Sequence, residues 1–255
     1  ASEMLFQPFG GYFRIGMIIQ RFVVGESVGV DELIYYMYSD RNRKRPEKGR
    51  TYERAYIGGD YGQQNATTYQ AFGLDVYRQK LPGLGEYYHS GRDSGTQRSP
   101  SEYAQDLVEF MNELHEEYEI KVFYICLDPS AKGLQEEIRR ATGSIQEYGV
   151  LIRDADNDVA LGISRVQKAF VFDILSISPK QENLDRELGT YEYDKKSIEK
   201  GKEVPIKEND HGCDALRYAV MTAWRYIKQW LPIEAEKREY SADIARKEVE
   251  EDGYI

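Results

Sequence analysis

Six residues in unbroken apolar succession, Val122-Phe-Tyr-Ile-Cys-Leu127, stop abruptly at Asp128-Pro129. A strand apolar at every position buries both of its faces, as inner strands do in sheets covered by helices on both sides. The run is far too short to span a bilayer. It therefore points to an α/β domain, and what surrounds it agrees. Ser99-Pro-Ser-Glu102 is a helix start, followed at helical spacing by Tyr103, Leu107, Phe110, Met111, Leu114 and Tyr118. Further helices are expected from Ala131 to Ala141 (ended by Gly143), around Val159, Ile163, Val166 and Phe170, from Glu182 to Leu188, and from Asp210 to Trp230. The last carries Leu216, Val220, Ala223 and Ile227 as its inner stripe. Ahead of the apolar run, Tyr52–Gly59, Thr67–Tyr77 and Gly85–Ser90 read as strands. Their connections are too short for helices, so an antiparallel meander is expected. Gly149–Arg153 and Val171–Leu175 read as two further short strands.

The ends of the chain read differently. Residues 1–50 are punctuated by Gly10, Gly11, Gly16, Gly25 and Gly29 and read as a linker region, with a strand-like piece at Leu33–Tyr38. Arg41 to Arg50 holds six basic residues and one acidic, and serves either as a solvated connector or as a phosphate-contacting strap. Residues 51–232 form the folded domain, and residues 233–255 a charged tail expected as a frayed helix. The opening Ala-Ser-Glu-Met suits a fragment. Thr190–Asp194 and Glu203–Lys207 flank Glu199-Lys-Gly-Lys202 and read as the arms of a β-hairpin with a glycine turn.

Composition limits the function. The formal charge of −10 over 255 residues argues against indiscriminate coating of nucleic acid, whose non-specific affinity comes from Lys and Arg on phosphates. A local basic patch remains compatible. Two cysteines, Cys126 and Cys213, build no disulfide framework and read as free thiols. No phosphate-binding loop of the G-x-x-x-x-G-K-S/T type and no G-x-S-x-G elbow occurs, and His89, His115 and His211 lack zinc-site spacing.

Three aspartates stand where buried structure meets loop: Asp60 after the first strand, Asp128 after the central strand, and Asp214 in the first turns of the last helix. Functional groups gather at strand C-termini in open α/β sheets. A carboxylate there is poorly solvated and needs a cation. If the three converge, oxygen-only ligation selects Mg²⁺ or Mn²⁺ over Zn²⁺. Each also has a plainer role. Asp60 suits a turn, Asp128 a helix cap, and Asp214 an ion pair with Arg217 one turn on. Asp210 and Asp214, four residues apart, share a helix face and need a compensating cation or proton. His211 lies near the same edge, either as a proton carrier or as an exposed residue beside a capping Asp210.

The strings Ile57-Gly-Gly-Asp-Tyr-Gly62, Ile125-Cys-Leu-Asp-Pro-Ser-Ala131 and Asp210-His-Gly-Cys-Asp-Ala-Leu-Arg-Tyr-Ala219 resemble the C-terminal nuclease domain of the tailed-phage terminase large subunit. Glu187-Leu-Gly-Thr-Tyr-Glu-Tyr-Asp194 looks like the stretch that precedes the last acidic motif of that family. The resemblance runs from about Tyr52 to Trp230. It implies an RNase H-like fold, a mixed sheet with helices on both faces, and cutting of concatemeric double-stranded viral DNA in the host cytoplasm. Carried over, Asp60, Asp128 and Asp214 match the metal-binding triad, with Asp60 bridging two Mg²⁺ or Mn²⁺ ions, Asp210 nearby and His211 as an active-site histidine. The bare carboxylates are then expected to repel one another. The implied partners are the ATPase domain that precedes the nuclease in the family, the small terminase subunit and the portal; no nucleotide site and no membrane contact is implied for this chain. The hairpin matches a variable element beside the site, and Lys195, Lys196, Lys200 and Lys202 would let it gate DNA entry. A junction resolvase of the same superfamily and a non-enzymatic interaction module are the alternatives.

Overall fold

The computed structural model describes residues 33–50, 52–62, 65–233 and 235. The glycine-punctuated start and the charged tail beyond 235 lie outside them. The strands are β1 (Ala55–Asp60), β2 (Ala66–Gly73), β3 (Leu81–Ser90), β4 (Val122–Leu127), β5 (Gly149–Asp154) and β6 (Leu175–Ser176). They form one sheet in the order β5-β4-β1-β2-β3-β6. The β1–β2–β3 meander is antiparallel, while β4 pairs parallel with β1, β5 with β4, and β6 with β3. The mixed sheet with helices on both faces is the RNase H-like fold expected from the sequence.

The helices are α1 (Gly91–Ser94), α2 (Pro100–Tyr118), α3 (Lys132–Thr142), α4 (Val159–Val171), α5 (Glu182–Leu188), α6 (Lys195–Ile198) and α7 (His211–Ile227). Ser99 starts α2 through a capping box with Glu102, two reciprocal bonds that satisfy amides otherwise left open at a helix start. Strand side chains alternate between faces. Ala55 and Ile57 of β1, with Phe123, Ile125 and Leu127 of β4, pack against α2 and α3. Tyr56, Phe72 and Leu74 face α4, α5 and α7. By the same alternation Asp60 follows Tyr56 and Gly58 toward the α7 face. At Gly58 the chain tolerates no side chain, since a Cβ there would stand 1.7 Å from the Ala215 carbonyl oxygen. Helix α7 thus lies backbone to backbone on β1, and this contact fixes its first turn above the strand's end.

Several local expectations change. Leu33–Tyr38 is a turn with a single bridge from Leu33 to Glu192, and its aromatics serve the core, where Ile34, Tyr35 and Met37 are buried. The Val171–Leu175 strand shrinks to β6 because Val171 closes α4 and Asp173 turns the chain with a φ of 55°. The Thr190–Lys207 arms meet through one bridge, Tyr193 to Pro205; Asp194 caps α6 at the tip, and Gly201, with a φ of 71°, turns the chain after it as expected. The basic Arg41–Arg50 segment is largely exposed and is tied to the domain by ion pairs. Arg43 pairs with Asp40 and Asp185, Lys44 with Asp173, Lys48 with Glu117, and Arg50 with Asp75.

Candidate active site

The first turn of α7 has open backbone amides, as every helix start does. Asp210 precedes the helix but makes no side-chain cap. The cap comes from α5. Glu187 Oε2 accepts from Gly212 N at 2.6 Å and from Cys213 N at 3.1 Å. A Cβ at residue 212 would fall 2.9 Å from that oxygen, so a glycine leaves room for the cap. Burial pushes the Glu187 carboxyl up to about 7 against the pull of the two amides.

With α7 so placed, His211 reaches back to the end of β1. His211 Nδ1 lies 2.6 Å from Asp60 Oδ2. The hydrogen bond to Asp60 raises the imidazole above its ordinary value against the opposing effect of burial. Burial raises the Asp60 carboxyl, with His211 opposing. Both line an open cleft of about 570 Å³ with Tyr61, Arg92, Lys207, Asp210 and Asp214.

Asp214 is buried and takes two cations. Arg217, itself 1% exposed, donates to Oδ1 at 2.9 Å, as the sequence alternative anticipated. Lys207 donates to Oδ2 at 3.2 Å. The Lys207 ammonium also lies 3.3 Å from Asp210 Oδ2 as an ion pair, and that buried oxygen has no hydrogen-bond partner. One ammonium thus supplies the compensation that the Asp210–Asp214 pair requires. Burial would lower the Lys207 pKa, but Asp214 and Asp210 raise it, so the group stays charged.

Asp128 stands beside Asp60. Gly59 and Leu127 are register partners on parallel strands about 5 Å apart, so the next residues on each are neighbours. Its carboxylate is spoken for by protein donors. Oδ1 accepts from Ser130 N at 2.7 Å, and Oδ2 from Asn157 Nδ2 at 3.0 Å and Tyr218 OH at 3.1 Å. Burial raises its pKa, but the Ser130 and Tyr218 hydrogen bonds and the charge of Arg217 outweigh it and leave it lowered. Arg217 also donates to Asn157 Oδ1 at 3.3 Å, which links the Asp128 and Asp214 surroundings.

Asp60, Asp210, His211 and Asp214 therefore share one cleft, whereas Asp128 stands on the adjacent strand end and is not among the cleft's lining residues. The expected repulsion among bare carboxylates is relieved by His211, Lys207, Arg217 and Tyr218. Among the described residues no three His, Cys, Asp or Glu side chains converge as ligands of one ion. The donor set fits a hard divalent cation in kind, being oxygen-only, with an unsatisfied buried oxygen on Asp210. Sequence reasoning missed Glu187, Asn157, Tyr218 and Lys207 as functional positions. Tyr218 and Glu187 fall inside the quoted strings, but nothing local reveals their partners across the fold.

A model of the family described as Terminase RNAseH like domain matches residues 60–222. Large terminase from a thermophilic bacteriophage (crystal form 3) is 32% identical, over 84% of this chain and 51% of its own, with a TM-score of 0.69. In complex with ADP the same phage protein gives 31% identity over 79% and 47%, with a TM-score of 0.67. The P22 large terminase nuclease domain shares the fold, at 14% identity over 76% of this chain and 92% of that domain, with a TM-score of 0.58. The chain spans about half the length of the thermophilic-phage terminase it matches. No curated protein matches.

Proposed function

The chain belongs to the terminase RNase H-like domain family, and from that premise we propose that it is the nuclease domain of a viral DNA-packaging large terminase subunit. It cuts concatemeric double-stranded DNA by metal-dependent phosphodiester hydrolysis, in the host cytoplasm. The observation that carries this reading is the meeting of Asp60 with His211 at the end of β1, beside Asp128 and below the Asp214 turn of α7.

Asp60, Asp128, Asp214 and Asp210 would hold Mg²⁺ or Mn²⁺, which when bound would supply Lewis-acid activation of water and charge neutralisation at the phosphate. His211 orients the Asp60 carboxylate through Nδ1, and that contact raises the imidazole above its ordinary value. Arg217 and Glu187 hold Asp214 and the α7 start in place. Arg92 and Lys207 on the cleft lining offer positive charge to flanking DNA phosphates. The partners are double-stranded DNA, the ATPase domain that precedes such nucleases, the small subunit and the portal.

One observation favours a rival. Every triad carboxylate already has a protein partner, as in an interaction module whose acids serve only structure. Plasmid nicking decides between them. Cleavage that requires Mn²⁺ or Mg²⁺ and disappears in Asp128→Ala establishes the nuclease, and no cleavage with any divalent ion establishes the module. Preference for four-way over linear DNA would instead mark a junction resolvase.

A further inference from the structure

Lys207 ends the Thr190–Lys207 excursion and points its ammonium between two carboxylates of the α7 start. Nζ stands 3.2 Å from Asp214 Oδ2 and 3.3 Å from Asp210 Oδ2. Asp210 is 6% exposed, and its Oδ2 accepts no hydrogen bond. A buried carboxylate oxygen left in that state costs free energy unless a charge stands close by. The Lys207 side chain is 62% exposed, so it is free to swing into solvent while the two acids are not. Its backbone belongs to an arm held by a single bridge, Tyr193 to Pro205.

We propose that Lys207 is a tethered counter-cation that occupies the Asp210–Asp214 position and must be displaced before a divalent ion binds there. The proposal rests on the cleft being a divalent-ion site. It makes ion entry an exchange of one cation for another, so the buried Asp210 Oδ2, which has no hydrogen-bond partner, is never left without a nearby charge, while Asp214 keeps Arg217. The same exchange frees an ammonium at the cleft mouth, where the phosphates of a bound duplex would receive it. Ion occupancy and DNA engagement are thereby linked through one side chain.

The test is calorimetric titration of the intact chain with Mn²⁺ alone, without DNA, for the wild type, Lys207→Gln, Lys207→Arg and Lys200→Gln, with thermal melts as a folding control. Half-exposed ion pairs are each worth a factor of about two to five, so Lys207→Gln should bind Mn²⁺ roughly three- to tenfold more tightly. Lys207→Arg should stay near the wild type. Lys200→Gln, which removes the same charge at the far end of the excursion, should leave the affinity unchanged. Equal or weaker Mn²⁺ binding by Lys207→Gln overturns the exchange, as does a matching gain in Lys200→Gln, and both leave the nuclease reading intact. Absence of Mn²⁺ binding in wild type and variants alike overturns the divalent-ion site itself and the exchange with it.

Discussion

Glu187 Oε2 accepts from the Gly212 amide at 2.6 Å, so the helix that carries His211 and Asp214 is capped by a residue 25 positions earlier in the chain. The cap is also a titrating group. Its carboxyl is raised from 4.5 to about 7 by burial. A carboxyl raised in the folded state adds stability that is complete below its unfolded pKa and is lost as pH rises through the folded one. Wild-type stability should therefore fall between about pH 4.5 and 7, and Glu187→Gln should flatten that slope. Glu187→Ala should cost about 1–3 kcal/mol by leaving two buried amides unpaired. Denaturant unfolding across that pH range checks both.

His211 draws its raised pKa first from Asp60. In the metal-free protein, Asp60→Asn should bring the imidazole back down, and NMR titration of the ring protons reads the shift. An unchanged His211 titration would show that the 2.6 Å contact carries no charge coupling.

Arg217 and Asp214 are both buried. Removing one partner of a buried pair leaves an uncompensated charge and costs roughly 3–5 kcal/mol. Arg217→Met leaves Asp214 with Lys207 alone and should therefore lose stability at or below the lower end of that range in chemical denaturation. The double variant Arg217→Met/Asp214→Leu should recover a good part of it, since the stranded carboxylate is gone.

The excursion around α6 carries Lys195, Lys196, Lys200 and Lys202 at its tip. Deleting Lys195–Lys202 should lower the melting temperature only modestly, because α6 fully buries no residue and only Ile198 leans on the core. It should change DNA affinity or cutting rate. Filter binding and plasmid nicking at two salt concentrations check the latter, and unaltered values would remove the gate from the account.

The buried core of the sheet was legible because period and length are local signals. Val122–Leu127 has the pattern of an inner strand, and its stop at Asp128 marked the strand end that lies beside Asp60. The strings around Asp60 and Asp214 likewise marked residues that share one cleft. What stayed illegible depends on partners distant in sequence. The aromatics of Leu33–Tyr38 look strand-forming, yet their burial against α4 outweighs that preference. The hairpin tip became a helical turn because Asp194 offers a cap to Ser197. The engagement of Asp128 by Asn157 and Tyr218 spans 29 and 90 residues, beyond the reach of any spacing rule.

The seam at Gly58 has a mechanical corollary. With the Ala215 carbonyl seated where a methyl group would be, helix and strand have no compressible layer between them. The site above that seam therefore sits on a frame of fixed width, and its side-chain rotamers, rather than the helix–strand spacing at Gly58, are the part left to adjust.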